Sequence, residues 1–552
     1  MKKRLVQLAI LAVATLSTSA CQDFTDMFYF GGDVNEGYSF RSVSTPPPGD
    51  DEAHEASYTY SDYAKSNVSV ISVTPSVGSA RLLIIPIWFS DSSTYITETY
   101  KEAVRADIET AYFGTNEETG WRSVKSYYEE ESHGHLTISG TVSEWHTVSQ
   151  PSSYYYRDTA GATGKTALLV RDSVIWYFNN HSEDSRQNYD CDGDGYIDGV
   201  MLIYAAPDYS ALNLSDEDSN LWAYCFWIQD SGLKSTTSPG PNAFFWASYD
   251  FMYSITKARA RTGNTRTIYG SGDTSFCNVD THTYIHEMGH MFGLEDYYDY
   301  SKYKYCPAAG FSMQDNNVGG HDPFSSFALG WGKAYVPNKS TTINLQPFAT
   351  TGEMIVLSPE WNSYNSPFDE YLILEYYTND GLNEFDNKHQ YMASSGKAYP
   401  AGSASPGIRL WHVDSRLAYL QGGHYEMTTL PDTTRNGYHR VTLAMSNTYD
   451  DGRVNESYLS PLARENPSYT NFNLLQLIRL NGSTYKPDKK DYLSSFMLFT
   501  DLSGHDEFKM STSNISKQFF NTGKLNSGKD LGFSFKVNAL QPDFASIEIV
   551  KL

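Results

Sequence analysis

The chain has 552 residues, 40% of them hydrophobic and 15% aromatic, which is enough for two or more full-sized cores. Its net charge of −24 argues against a nucleic-acid binder, which needs basic surface, and against electrostatic docking on anionic lipid.

At the amino terminus Lys2, Lys3 and Arg4 precede an apolar run from Leu5 to Leu16 and the small residues Thr18-Ser19-Ala20. That run is too short to span a bilayer, so residues 1–20 read as a signal peptide and the protein as exported. Cleavage before Cys21 would leave a terminal thiol able to carry acyl chains. The expected location is therefore the bacterial outer membrane or cell surface, with Cys21 as the only membrane attachment and plain secretion as the alternative. Residues 21–79 are rich in Gly, Ser and acids around Pro46-Pro47-Pro48 and read as a tether.

A domain over residues 80–337 opens with the apolar run Arg81 to Phe89, followed by an amphipathic helix from near Ile96 to Tyr112. His135 to Val142 alternates as a strand does, and an exposed edge there could hold a peptide backbone by added-strand pairing. Further on, Asp190, Asp192, Asp194 and Asp198 stand where a calcium loop places oxygen ligands, with Gly195 at its sharp turn and Tyr196 offering a backbone carbonyl. The loop ends at Met201 instead of a glutamate and runs into the apolar stretch Gly199 to Ala205. It is thus expected to be a structural Ca²⁺ loop in a helix-loop-strand setting and not an EF-hand, the alternative being a solvated acidic turn.

His286-Glu287-Met288-Gly289-His290 sets two imidazoles on one helical face, at the spacing that lets both reach one zinc ion. Gly293 can end that helix in a left-handed turn, and the returning chain offers Asp296 as a third ligand, with Glu295 its nearest rival. A glutamate on a later helix is excluded as third ligand, because no glutamate occurs between Tyr297 and Gly352. Glu287, beside the ligands but not one of them, suits the general base that takes a proton from water and hands it to a leaving amine. Met313, in Gly310-Phe311-Ser312-Met313-Gln314-Asp315, lies where a metzincin places the methionine turn beneath its ligands, although its spacing also fits plain core filling. His321, in a Gly-Gly-His-Asp-Pro loop, reads as an exposed or hydrogen-bonded side chain and not a ligand. A side chain to stabilise an oxyanion cannot be picked from 43 tyrosines.

Beyond Pro337, short apolar runs such as Met354–Leu357, Tyr371–Tyr376, Ile408–Val413 and Ala545–Val550 alternate with Gly, Asn and Asp, the pattern of an all-β sandwich over residues 338–552. Trp411-His412-Val413-Asp414 reads as strand core with a hydrogen-bonded rim. Apart from Cys21 the cysteines are Cys191, Cys225, Cys277 and Cys306, with three possible pairings or none. The fold class expected is α+β, a zinc peptidase domain followed by the sandwich.

The run from His286 to Asp299, with Ser312-Met313 and Ala328-Leu329-Gly330-Trp331 after it, resembles the immune inhibitor A family of secreted bacterial metallopeptidases. So do Ser123-Val124-Lys125-Ser126-Tyr127-Tyr128, Glu370 to Glu375 and Gly407 to Asp414, so that the likeness spans roughly residues 80 to 420. The resemblance implies His286, His290 and Asp296 as zinc ligands, Glu287 as base and Met313 as the turn methionine. Glu295 and Gln314 depart from the family pattern. The expected activity is zinc-dependent cleavage of protein or peptide substrates. A catalytically silent surface lipoprotein that binds protein or glycan, and an amidase or esterase using the same water, are the rivals.

Overall fold

The computed structural model describes residues 52–62, 72–158, 162–209, 220–253, 278–294, 296–297, 311–361, 369–389, 405–415, 474–482, 497–519 and 522–552, with a few single residues between these spans. Cys21, Cys277, Glu295 and Cys306, the signal peptide and most of the tether lie outside them.

The strands in chain order are β1 (His54–Glu55), β2 (Gly78–Trp88), β3 (Leu136–Val142), β4 (His146–Thr147), β5 (Gly199–Tyr204), β6 (Tyr224–Trp227), β7 (Ala243–Ser248), β8 (Lys333–Tyr335), β9 (Thr341–Leu345), β10 (Glu353–Leu357), β11 (Glu370–Tyr377), β12 (Gly407–Asp414), β13 (Leu475–Ile478), β14 (Glu507–Phe508), β15 (Phe533–Leu540) and β16 (Ala545–Lys551). The helices that matter here are α1 (Lys101–Phe113), α2 (Val124–Glu131), α3 (Lys165–Asn180), α4 (His282–Met291), α5 (Met313–Asn316), α6 (Pro323–Ala328) and α7 (Asn383–Lys388).

The first sheet runs β3-β2-β5-β7-β6, with β4 also on β2. It is parallel except for β6, which is antiparallel to β7. Parallel sheets are covered on both faces, which is why β5 is buried at every position and reads as an unbroken apolar run. Leu83, Ile85, Val200, Leu202 and Trp246 face Ala167, Val170 and Val174 of α3. Leu82, Ile84, Met201 and Phe245, on the other face, share a core with Tyr284, Ile285, Met288 and Met291 of α4. The helix start expected near Ile96 falls at Lys101, after two 3₁₀ turns.

A six-stranded sheet, β1-β8-β10-β11-β12-β13, and a four-stranded one, β9-β16-β15-β14, share a second apolar layer. Ile355, Leu357, Leu372, Leu374, Ile408 and Leu410 meet Ile343, Phe535, Val537, Ile547 and Ile549 there. The alternating residues of the same strands, Met354, Val356, Tyr371, Ile373, Trp411 and Val413, belong to the core that contains α4. The six-stranded sheet is therefore a middle layer, buried on both faces, and the α4 core draws on strands from both sides of Pro337. Part of the stretch read as a tether is also packed in. β1 pairs with β8, Tyr60 is fully buried, and Thr74 donates to the Met291 carbonyl at 2.9 Å. Among the described residues no helix is long and apolar enough to cross a membrane.

Candidate metal centre

Helix α4 buries Tyr284, Ile285, Met288 and Met291 on its apolar side, so the face at His286 and His290 is fixed by the packing of the opposite one. Gly293 adopts φ +102° and ends the helix. Its N–H reaches the His290 carbonyl at 2.9 Å, and the Leu294 N–H reaches that of Gly289 at 3.1 Å, the doubled closure of a left-handed cap. The chain then turns back and brings Asp296 to the two imidazoles.

Three atoms converge. His286 Nε2 lies 3.0 Å and His290 Nε2 3.2 Å from Asp296 Oδ1, and the two nitrogens are 3.2 Å apart. Bonds of about 2.05 Å to a tetrahedral zinc put ligand atoms roughly 3.3 Å apart, close to this spacing. The opposite ring nitrogens are 2.8 Å from the carbonyls of Met313 and Leu294, so each proton sits on Nδ1 and both Nε2 lone pairs point inward. Two lone pairs and a carboxylate gathered at buried positions repel one another unless a cation joins them. A proton on His290 Nε2 can take the place of that cation: burial opposes charging of the imidazole, yet Asp296 outweighs it and pushes its pKa up to about 10. Asp296 is held well below the usual carboxylate range despite its burial, chiefly by His290 and His286. The donor set fits a zinc ion.

Glu287 is buried on the same helix. Burial raises its pKa, while His290 and His286 pull it down and the backbone N–H of Cys225 hydrogen-bonds its carboxylate. Cys225 lies on β6, which among the described residues pairs only with β7, so an edge strand touches Glu287; β3 (Leu136–Val142) is the opposite edge of the same sheet.

Met313 is fully buried, opens α5, and serves the cluster through its carbonyl on His286. Ser312 and Asp322 fasten this turn. The Asp322 carboxylate accepts from Ser312 Oγ and Ser325 Oγ at 2.8 Å each and from the Ser325 N–H at 2.9 Å, capping α6. His321 is buried and hydrogen-bonded, the second of the two expectations for it, with Nδ1 3.2 Å from the Tyr127 hydroxyl, and it is not one of the three converging groups. His412 and Trp411 are rim and core groups, hydrogen-bonded to Glu370 and Glu375.

Sequence reasoning missed the supports of the centre: Cys225 N–H, the Leu294 carbonyl, Gln314, and the pair Asp280 and Asp386. The last two grip His282 at 2.8 and 3.2 Å, one helical turn before His286. A helical pattern gave no signal for Asp386, 104 residues from His282, which also accepts from the Gly319 N–H at 2.6 Å.

In the upstream acidic loop, carboxylate oxygens of Asp190, Asp192 and Asp194 lie within 4.8 Å of one another. Gly193 and Gly195 have φ of +71° and +92°, which lets the backbone wrap them. Burial, with Asp192 next, pushes the Asp194 carboxyl up to about 7, and Asp190 Oδ1 is buried with no hydrogen-bond partner. Asp198 does not join the three. Its two oxygens accept from the Cys191 and Arg81 N–H groups at 2.9 and 2.8 Å, and so anchor the loop to β2. Tyr196 donates its N–H to Asp194 at 2.8 Å and bridges to Gly240.

Residues 87–308, which hold the converging triad and Glu287, match the family description "Immune inhibitor A peptidase M6, catalytic domain". The pre-pro-metalloprotease PrtV of Vibrio cholerae serotype O1 is 27% identical over 252 residues, covering 41% of this chain and 25% of PrtV. Immune inhibitor A of Bacillus thuringiensis subsp. alesti is 26% identical over 195 residues, covering 32% of this chain and 25% of that protein. The chain thus spans about a quarter of the length of the curated relatives it matches. Over residues 87–308 it is similar to the catalytic domain of the immune inhibitor A peptidase M6 family.

Proposed function

We propose that the protein is a zinc-dependent endopeptidase, exported and held at the cell surface through Cys21. The observation that carries this reading is the convergence of His286 Nε2, His290 Nε2 and Asp296 Oδ1 at 3.0 to 3.2 Å, with both imidazole protons tied to carbonyls. A zinc ion held by these three would polarise a peptide carbonyl and lower the pKa of a water towards about 7. Glu287 takes the proton of the attacking water and delivers it to the leaving amine; its burial raises its pKa and favours that exchange. The Cys225 N–H aims the carboxylate, and the outer edge of β6 offers backbone groups on which an extended substrate can pair. Met313 supports the ligands through its carbonyl, and Gly293 makes the turn that returns Asp296. Asp190, Asp192 and Asp194 would hold a structural Ca²⁺ ion, with the Tyr196 carbonyl offered as a further ligand and Asp198 as the anchor of the loop.

The test is a casein digestion by purified protein. Activity should vanish with a zinc chelator and return on adding zinc. Glu287→Gln should keep one zinc per chain while losing at least about a hundredfold in kcat, the span expected for a lost general base. A mutant that digests casein at the parent rate would refute the assignment.

A further inference from the structure

Gly289 stands in the middle of α4, where glycine costs about 1 kcal/mol relative to alanine. Space explains it. A Cβ at that position would lie 2.3 Å from Oε1, 2.7 Å from Cδ and 3.0 Å from Nε2 of Gln314, so the carboxamide occupies the space a side chain there would need. Gln314 is fully buried, and Nε2 of the same carboxamide sits 3.4 Å from His290 Nδ1. Its Oε1 has no hydrogen-bond partner. His290 Nδ1 carries a proton, which it shares with the Leu294 carbonyl, so the pole that suits this place is the oxygen. A half-turn of the terminal torsion presents it without moving the wedge against Gly289. The Gln314 backbone carbonyl also accepts from the Tyr297 N–H at 2.9 Å, next to Asp296, and the preceding carbonyl, of Met313, holds His286. One dipeptide therefore braces all three converging groups from behind.

We propose that Gln314 is a positioning residue for the metal centre, its carboxamide seated on Gly289 and fixing the plane of the His290 imidazole. This rests on the zinc reading given above. Gly289 and Gln314 are then a matched pair, the first small so that the second can reach the ring. Groups that orient metal-bound imidazoles change metal affinity about 10- to 100-fold when removed.

The experiment follows zinc release to a chromogenic chelator, with melting of the zinc-free protein as the control for folding. Gln314→Ala should release zinc at least about tenfold faster than the parent. Gln314→Met, which keeps the volume and removes the acceptor, should also release it faster while melting near the parent. Gly289→Ala should weaken retention strongly in the parent and hardly at all in the Gln314→Ala background, because the clash partner is gone. Parent-like release from Gln314→Met, or additive effects of the two alanines, would overturn the proposal. A parent protein that binds no stoichiometric zinc would instead overturn the zinc reading, so the two failures are distinguishable.

Discussion

Asp296 is the residue on which the centre turns, because it brings the only negative charge among the three converging groups. Asp296→Asn keeps the shape and removes that charge. Equilibrium dialysis against zinc is expected to show a loss of at least about tenfold in affinity, and unchanged binding would mean that the carboxylate is not a ligand. His282 makes a second prediction at this scale. Its ring is fully buried, stacked on Trp121 at 4.0 Å, and gripped by two carboxylates. Burial disfavours the cation, but Asp386 and Asp280 outweigh it and raise the pKa to about 9 from an unfolded value near 6.5. A raised pKa gives stability that is complete below about pH 6.5 and is lost as pH climbs through about 9. His282→Gln should therefore lower the melting temperature more at pH 6 than at pH 9.5, by up to about 3 kcal/mol in stability. A pH-independent difference would show that the imidazole is neutral in the fold.

At the scale of elements, the site is a helix end, a return and a turn, each held by a different kind of bond. The α4 face was readable, because the spacing of His286 and His290 is a property of the helix itself. The Ser123 cap of α2 and the Asp322 cap of α6 are equally local. Asp322, however, also ties Ser312 and so couples the cap of α6 to the turn at Met313. Asp322→Ala removes three hydrogen bonds at a buried position and should cost about 2 to 4 kcal/mol in denaturant unfolding, more than the roughly 1 kcal/mol of a surface cap. A loss of only about 1 kcal/mol would reduce Asp322 to a simple cap. The acidic loop gives a parallel expectation. Calcium at 1 mM should raise the melting temperature of the parent and leave that of Asp190→Asn/Asp194→Asn nearly unchanged, since a ligand stabilises only the state that binds it.

For the whole molecule, the middle sheet matters most. Ile373 and Leu374 are neighbours on β11, yet Ile373 points into the core of α4 and Leu374 into the layer shared with β15 and β16. Either residue changed to alanine should cost about 2 to 5 kcal/mol. A chain ending at residue 337 would lose Met354, Val356, Tyr371, Ile373, Trp411 and Val413 from the α4 core, so it is expected to be insoluble or molten by near-UV circular dichroism. A soluble, cooperatively melting fragment would show that the zinc-motif core closes without them.

Residue order was enough for whatever depends on neighbours along the chain: which residues share a helical face at α4, where Gly293 turns, which runs are strands, and which acids crowd the loop at 190–194. Periodicity and φ preferences are local, so they survive without knowledge of the rest. Contacts across the fold alone set which groups stand behind the three converging atoms, that Asp198 anchors the loop instead of joining its acidic cluster, that His321 is buried against Tyr127, and that β1 pairs with β8 while Tyr60 is buried. Each of those follows from contacts between segments far apart in sequence, whose energies come from burial and shared hydrogen bonds. No spacing rule in a single chain encodes such contacts.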